Sequence, residues 1–250
     1  MPRSLPAALA GLALLATPTA AQTLDEIIAR NMAARGGLER IKSLRSLRMN
    51  GKMTIGPGIE APVSLEWKRA ARLRMEVRVQ GKTGVQAFDG KNGWSIDPFG
   101  GRTEAEPMSA ADARDIEEQA DIDGPLVDHA AKGNKVELVG REKVEGTDAY
   151  KLKVTLKNGE VRYLWLDAGS YLDIRAESTR TVRGSPIEIE STIGDYRDVG
   201  GGLLLPHAIQ NGAKGRAEKQ HVVIENVEVN PALDDARFAM PAPAAPAPRP

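Results

Sequence analysis

From residue 46 onward the apolar side chains recur at every second position. Leu47, Met49, Met53 and Ile55 are interleaved with Arg48, Asn50, Lys52 and Thr54. Val63, Leu65 and Trp67 are interleaved with Ser64, Glu66 and Lys68, and Leu73, Met75, Val77 and Val79 with Arg72, Arg74, Glu76 and Arg78. Successive side chains of a strand point to opposite faces, so each run has one apolar and one charged face. The pattern returns over residues 136–144, 150–156, 161–166, 172–179, 187–196, 203–209 and 222–229. Strands joined in sequence by short turns pair antiparallel, and such a sheet can leave one face in water. Asn92-Gly93 and Asn158-Gly159 lie between runs and suit type I′ hairpin turns.

Helical signals are few. Thr23 with Glu26 forms a capping-box pattern, Ile27, Ile28 and Met32 share a face, and Gly36-Gly37 stops that helix. Leu38, Ile41 and Leu44 mark a second short amphipathic turn. The strand signal pauses near residue 100, and Ser109 with Asp112 starts a helix expected to reach about Ile122, where Gly124-Pro125 breaks it. Asn230-Pro231 ends the last strand, and Ala232 to Phe238 is expected to turn back and pack Leu233 and Phe238 on the body.

Helices this short cannot cover a flat sheet this wide. The apolar face must therefore be buried by curling. The fold expected is α+β, mainly β: a single curled antiparallel sheet, an incomplete β-barrel of about 10–11 strands, with a few short helices as plug or lid. A curled sheet under a thin cover leaves an apolar cavity, the usual form of a small-molecule site. Met49, Met53, Leu65, Trp67, Met75, Val77, Trp94 and Ile96 are the candidates for its lining, the methionines because they adapt to ligands of variable shape.

Reaction chemistry is not indicated. Lys and Arg number 34, as do Asp and Glu, with no basic stripe, so no nucleic-acid partner is expected. His129, His207 and His221 lack ligand spacing, so no metal or other cofactor is expected. No nucleophile elbow, phosphate loop or dinucleotide fingerprint occurs, and no enzyme is expected. Asp234-Asp235 reads as an acidic pair at a helix start rather than a catalytic dyad.

The ends read as an address. Arg3, the apolar run Leu5 to Ala16 and the small residues Thr17 to Ala21 have the order of a secretory signal peptide, residues 1–21. No further apolar run is long enough to span a bilayer, and the cysteine-free chain offers no lipidation site or disulfide. Residues 22–240 read as one domain, expected to act as a monomer in the periplasm, and residues 241–250 as a Pro/Ala-rich disordered tail.

Several segments together resemble the outer-membrane lipoprotein-sorting family, the LolA-like periplasmic lipoprotein carriers. They are Ala34-Arg35-Gly36-Gly37 with Ile41-Lys42-Ser43-Leu44, Phe88 to Trp94, Asp97-Pro98-Phe99-Gly100, Gln119 to Leu126, Lys151 to Thr155 leading into Asn158-Gly159, Leu205-Pro206 and Asn230-Pro231. The resemblance implies an incomplete barrel closed by a helical lid over a hydrophobic cavity. It implies a carrier of lipid or lipoprotein acyl chains, loaded by an inner-membrane transporter and unloaded to an outer-membrane receptor. The alternative it leaves open is a periplasmic sensor that detects lipoproteins through the same cavity.

Overall fold

A computed structural model describes residues 22–55, 58–182 and 185–242. The expected signal peptide and residues 243–250 of the expected tail lie outside the described residues. One antiparallel sheet contains 13 strands among them. In chain order these are β1 (Ser46–Thr54), β2 (Glu60–Lys68), β3 (Arg72–Val79), β4 (Lys82–Phe88), β5 (Gly93–Asp97), β6 (Arg102–Pro107), β7 (Lys135–Val144), β8 (Thr147–Thr155), β9 (Val161–Asp167), β10 (Asp173–Val182), β11 (Ser185–Asp198), β12 (Leu204–Ala213) and β13 (Gln220–Val229). Their spatial order is β6-β5-β4-β3-β2-β1-β13-β12-β11-β10-β9-β8-β7. The class is the expected one, an open curled sheet with few helices. The count exceeds the expected 10–11 because short strands such as β6, a charged Arg-Thr-Glu-Ala-Glu-Pro edge, lack alternation.

Every sheet neighbour is also a chain neighbour except β1 and β13, which pair at the centre with Leu47 opposite Val229. A bulge between Asn50 and Gly51 interrupts that pairing. Its close approach needs glycine, because a Cβ on Gly51 would stand 2.0 Å from the Val223 carbonyl oxygen.

Helix α1 (Leu24–Ala34) has the expected capping box: the Thr23 hydroxyl accepts from the Glu26 N–H, and the Glu26 carboxylate accepts from the Thr23 N–H at 2.9 Å. It ends in a Schellman arrangement. Gly37 N–H donates to the Met32 carbonyl at 2.9 Å and Gly36 N–H to that of Ala33 at 3.1 Å. Gly36 has φ +115°, and a Cβ there would meet the Gly202 oxygen at 2.5 Å. Helix α2 (Leu38–Ser43) follows, and Ile27, Met32 and Ile41 plug one end of the concave face beside Leu152, Leu166 and Leu205. Helix α3 (Ala110–Gln119) is three residues shorter than expected, and turns occupy the chain from Asp121 to β7.

The hairpins correct the turn expectation. Gly93 belongs to β5, and the preceding turn is made by Gly90 at φ +100°, with the Asp89 carboxylate accepting from the N–H groups of Lys91 and Asn92 at 2.8 Å. At the β8–β9 turn Gly159 alone of the Asn-Gly pair has positive φ, +88°. Both turns thus differ from type I′, which needs two consecutive positive φ values.

The convex face carries its own cover. Beyond β13 the chain runs back over β1–β5: Lys68 donates to the Leu233 carbonyl at 2.6 Å, and Arg74 to that of Arg237 at 2.8 Å. Arg237 pairs with the buried Glu66 at 2.7 Å. Leu233 and Phe238 are buried, as expected.

Two predictions follow from these contacts. Gly51→Ala should destabilise the fold by about 1–3 kcal/mol or more through forced overpacking, read as a lower urea midpoint; an unchanged midpoint would contradict the β1–β13 register. The second concerns Asp173, beside the fully buried Asn31, whose amide donates to the Tyr171 carbonyl at 2.7 Å. Burial pushes the Asp173 carboxyl up, against the Arg35 charge and the Asn31 hydrogen bond. A raised carboxyl favours the folded state most below the ordinary carboxylate range, and the benefit is lost as pH rises through the folded value. Asp173→Asn should flatten the loss of stability on going from acid to neutral pH, measured by denaturation at several pH values.

Candidate functional site

The strand registers build the concave wall in rows. Val227, Met49, Leu65 and Met75 lie side by side across β13, β1, β2 and β3. The next row toward the mouth holds Ile224, Gly51, Val63 and Val77, and the row nearer α2 holds Leu47, Trp67, Leu73 and Phe88. A cavity of about 730 Å³ opens against this wall, with Met53, Ile55, Met75, Val77 and Val79 on one side. Gln86, Asn211, Gln220, Arg180 and Gln119 of α3 stand around the rest.

The eight expected lining residues divide three ways. Met53, Met75 and Val77 border the cavity directly. Met49, Leu65 and Trp67 share its face but sit deeper, packed in or against the main core. Trp94 and Ile96 are on the opposite face: Trp94 pairs with Ala87 and Ile96 with Val85, and these four form a separate convex cluster. The Trp94 indole N–H donates to the Phe238 carbonyl at 2.7 Å, so that ring anchors the C-terminal segment instead of lining the cavity. Ile96, although its strand parity puts it on the opposite face, is among the residues that line the cavity, as is its partner Val85. The opposite-face placement of both residues follows from parity. The concave positions of β5 are Gly93 and Ser95, and Gly93 leaves room for α3, since a Cβ there would meet Ile116 at 3.2 Å and Ala113 at 3.3 Å.

The chain between β6 and β7 must pass from one sheet edge to the other, and α3 lies on that path, touching β3, β4 and β5 on one wing and β10 on the other. Its attachments differ in kind. Toward the near wing, Ile116 and Ala120 pack with Leu73 and Phe88, and the Trp67 indole N–H donates to the Gln119 carbonyl at 2.9 Å. Toward the far wing the contacts are ionic. Glu118 accepts from Arg162 and, at 3.0 Å, from Asn158; Glu117 pairs with Lys157 at 3.0 Å and Asp115 with Arg180 at 3.9 Å. The following turn is pinned by Arg69, bidentate to the buried Asp123 at 2.6 and 2.8 Å. A second cavity of about 390 Å³ lies on this flank, between Ala70, Ile122 and Pro125 on one side and Leu156 and Arg162 on the other.

Burial and the neighbouring Arg180 lower the Arg162 guanidinium to about 10, partly offset by Asp115. Burial raises the Asp115 carboxyl despite the pull of Arg180. These polar groups inside the curl were missed by pattern reading, which assigns charge to the solvent face. No cluster of three or more metal-ligating side chains occurs among the described residues. His207 is buried on the β12 strand with Nδ1 3.0 Å from the Leu205 carbonyl, a local contact.

No known family profile matches this sequence. No curated protein matches it either. Solved structures do. A DUF1329 family protein from Desulfovibrio piger is 13% identical with a TM-score of 0.57, covering 85% of this chain and 97% of that one. A putative outer membrane lipoprotein-sorting protein domain from Vibrio parahaemolyticus is 12% identical at a TM-score of 0.56, over 85% and 94% of the two chains. The LolA superfamily protein NE2245 from Nitrosomonas europaea is 13% identical at 0.56, over 88% and 98%. At such identities the likeness defines the fold: the chain has the open, LolA-type half-barrel. Among the described residues no helix is long and apolar enough to cross a membrane.

Removing Glu118 should free the far-wing side of α3. Glu118→Ala leaves Arg162 unpaired, and breaking a buried pair costs about 3–5 kcal/mol. Amide exchange over residues 110–119 should therefore rise more than tenfold relative to β1 and β13. A uniform rise across the protein would show that the contact does not act locally.

Proposed function

We propose that this chain is a periplasmic carrier or binding protein that holds the acyl chains of a lipid or lipoprotein against the concave wall. The observation that carries the reading is the cavity of about 730 Å³ between the Met53–Met75–Val77 wall and α3. Its size falls within the range of about 300–1,000 Å³ of small-molecule sites. Moving a C16 chain there from water offers roughly 12 kcal/mol in gross terms, at about 0.8 kcal/mol per CH₂. Ordering the chain and displacing α3 reduce that figure.

Methionine at positions 53 and 75 suits cargo whose chains vary in length and branching. The fold shared with a protein described as lipoprotein-sorting supports a place in outer-membrane lipoprotein sorting. There the chain would receive cargo from an inner-membrane transporter and yield it to an outer-membrane receptor. The role assigned to the cavity is binding, with no reaction.

Full-length protein purified without detergent should carry lipid in native mass spectrometry and take up a fluorescent acyl probe. Met75→Glu, which sets a charge on the apolar wall, should weaken probe binding by more than tenfold while the far-UV circular dichroism is retained. Absence of both co-purified lipid and probe uptake would sink the reading.

A further inference from the structure

The concave face changes character from one wing to the other. On β1, the residue that follows it and β3, the concave positions at the cavity are Met53, Ile55, Met75, Val77 and Val79. On the far wing the register brings polar groups to the same face. Ala176 pairs with the core residue Leu164, which fixes the face; two and four residues on, Ser178 and Arg180 share it, with Arg162 opposite Ser178. Ser191 and Asn211, paired with each other on β11 and β12, extend the polar surface. An acyl chain alone has no use for such a wall. Burying polar groups is unfavourable unless they find partners.

Arg180 is the group least provided for. It borders the 730 Å³ cavity, and its guanidinium has one carboxylate within ion-pair range among the described residues, Asp115 at 3.9 Å, with no hydrogen bond between them. Arg162, by contrast, is hydrogen-bonded to Glu118. The other charged groups at the cavity, Asp97 and Arg102, satisfy each other at 2.9 Å. At 3.9 Å and without a hydrogen bond, Asp115 is a loose partner, and the two arginines lie close enough for Arg180 to depress Arg162.

We propose that the cavity selects an anionic amphiphile, whose phosphate or carboxylate headgroup docks on Arg180 while its chain lies along the Met53–Met75–Val77 wall. A planar guanidinium grips either oxyanion through two parallel hydrogen bonds. The Asn211 and Gln220 amides supply further neutral donors elsewhere on the wall of the same cavity. The proposal rests on the reading of the cavity as an acyl site and narrows it to one headgroup charge.

The test is displacement of a fluorescent acyl probe from full-length protein by ligands of equal chain length: a fatty acid, a lysophosphatidic acid, an uncharged monoacylglycerol and an alkylamine. Both anions should bind at least tenfold more tightly than the monoacylglycerol, and their order separates carboxylate from phosphate recognition. Arg180→Gln should abolish the preference, bringing the anions to the affinity of the monoacylglycerol for the same variant, and Arg180→Lys should keep part of it. Arg180 is partly exposed at 40%, so both variants are expected to fold, and the comparison on the unaltered chain needs neither.

Equal binding of neutral and anionic ligands would overturn the headgroup assignment and leave the acyl cavity standing. Retention of the preference in Arg180→Gln would overturn it as well. Inorganic phosphate should compete only at millimolar concentration; competition as strong as that of the amphiphiles would refute a chain-bearing ligand. Failure of every amphiphile to bind would remove the acyl reading and this proposal together.

Discussion

The pairing of β1 with β13 is the constraint on which the rest of the structure depends. It joins residues about as far apart as Leu47 and Val229, whereas the other strand pairs follow the chain. Bringing such distant segments together carries the largest loop-closure entropy in the fold. Its consequence is topological. With first and last strands at the centre, the edges are β6 and β7, which are consecutive in the chain. The connection between them must travel from one rim of the curl to the other, and α3 is laid along that route. Cavity and cover thus arise from one connectivity. At the Gly51 bulge on the seam a side chain has no space.

The magnitudes of its contacts decide on which side α3 gives way first. Ile116, 3% exposed, packs on Leu73 and Phe88, and full burial of such a side chain contributes about 1.5–3 kcal/mol. The Lys157–Glu117 and Arg114–Glu160 pairs are substantially exposed, and pairs of that kind contribute about 0–1 kcal/mol. Salt weakens them further. The Arg162–Glu118 contact is the strong element of the far side, since both partners are largely shielded from water. Thus α3 is hinged by apolar packing on the β3–β4 wing and latched by ions on the β9–β10 wing. The helix borders both cavities, Glu117 and Glu118 on one and Gln119 on the other.

Much of this was legible in the sequence, and its limits have physical causes. The capping box at Thr23, the glycine stop of α1 and the alternation of β1 to β3 were readable because each is a local rule with one dominant outcome. The parity of β5 was not: Gly93, taken as a turn residue, is its first concave position, so Trp94 falls outside the cavity and Ile96 reaches it from the other face. β6 offered no apolar face to detect. On β10 a bulge between Asp173 and Arg175 shifts the register, which places Ile174 and Arg175 on the convex side and Ser178 and Arg180 within. No period-two reading survives an unmarked bulge. The polar wall was therefore hidden, and with it the feature that most narrows the ligand.

Headgroup recognition and the latch share a residue, and this couples them. Asp115 belongs to α3 and is the carboxylate within ion-pair range of Arg180. An anion on Arg180 would compete with Asp115 for the same guanidinium and so withdraw one of the far-wing contacts of the helix. The coupling cannot exceed the worth of that contact. At 3.9 Å, half-exposed and without a hydrogen bond, it belongs with the pairs worth about 0–1 kcal/mol, which sets an upper limit of roughly fivefold on the linkage between ligand and helix position. A headgroup could thus loosen α3 but not release it, because Glu118 remains on Arg162. Full opening requires a further source of free energy, and burial of an acyl chain along the apolar wall is the one the cavity supplies in sufficient amount.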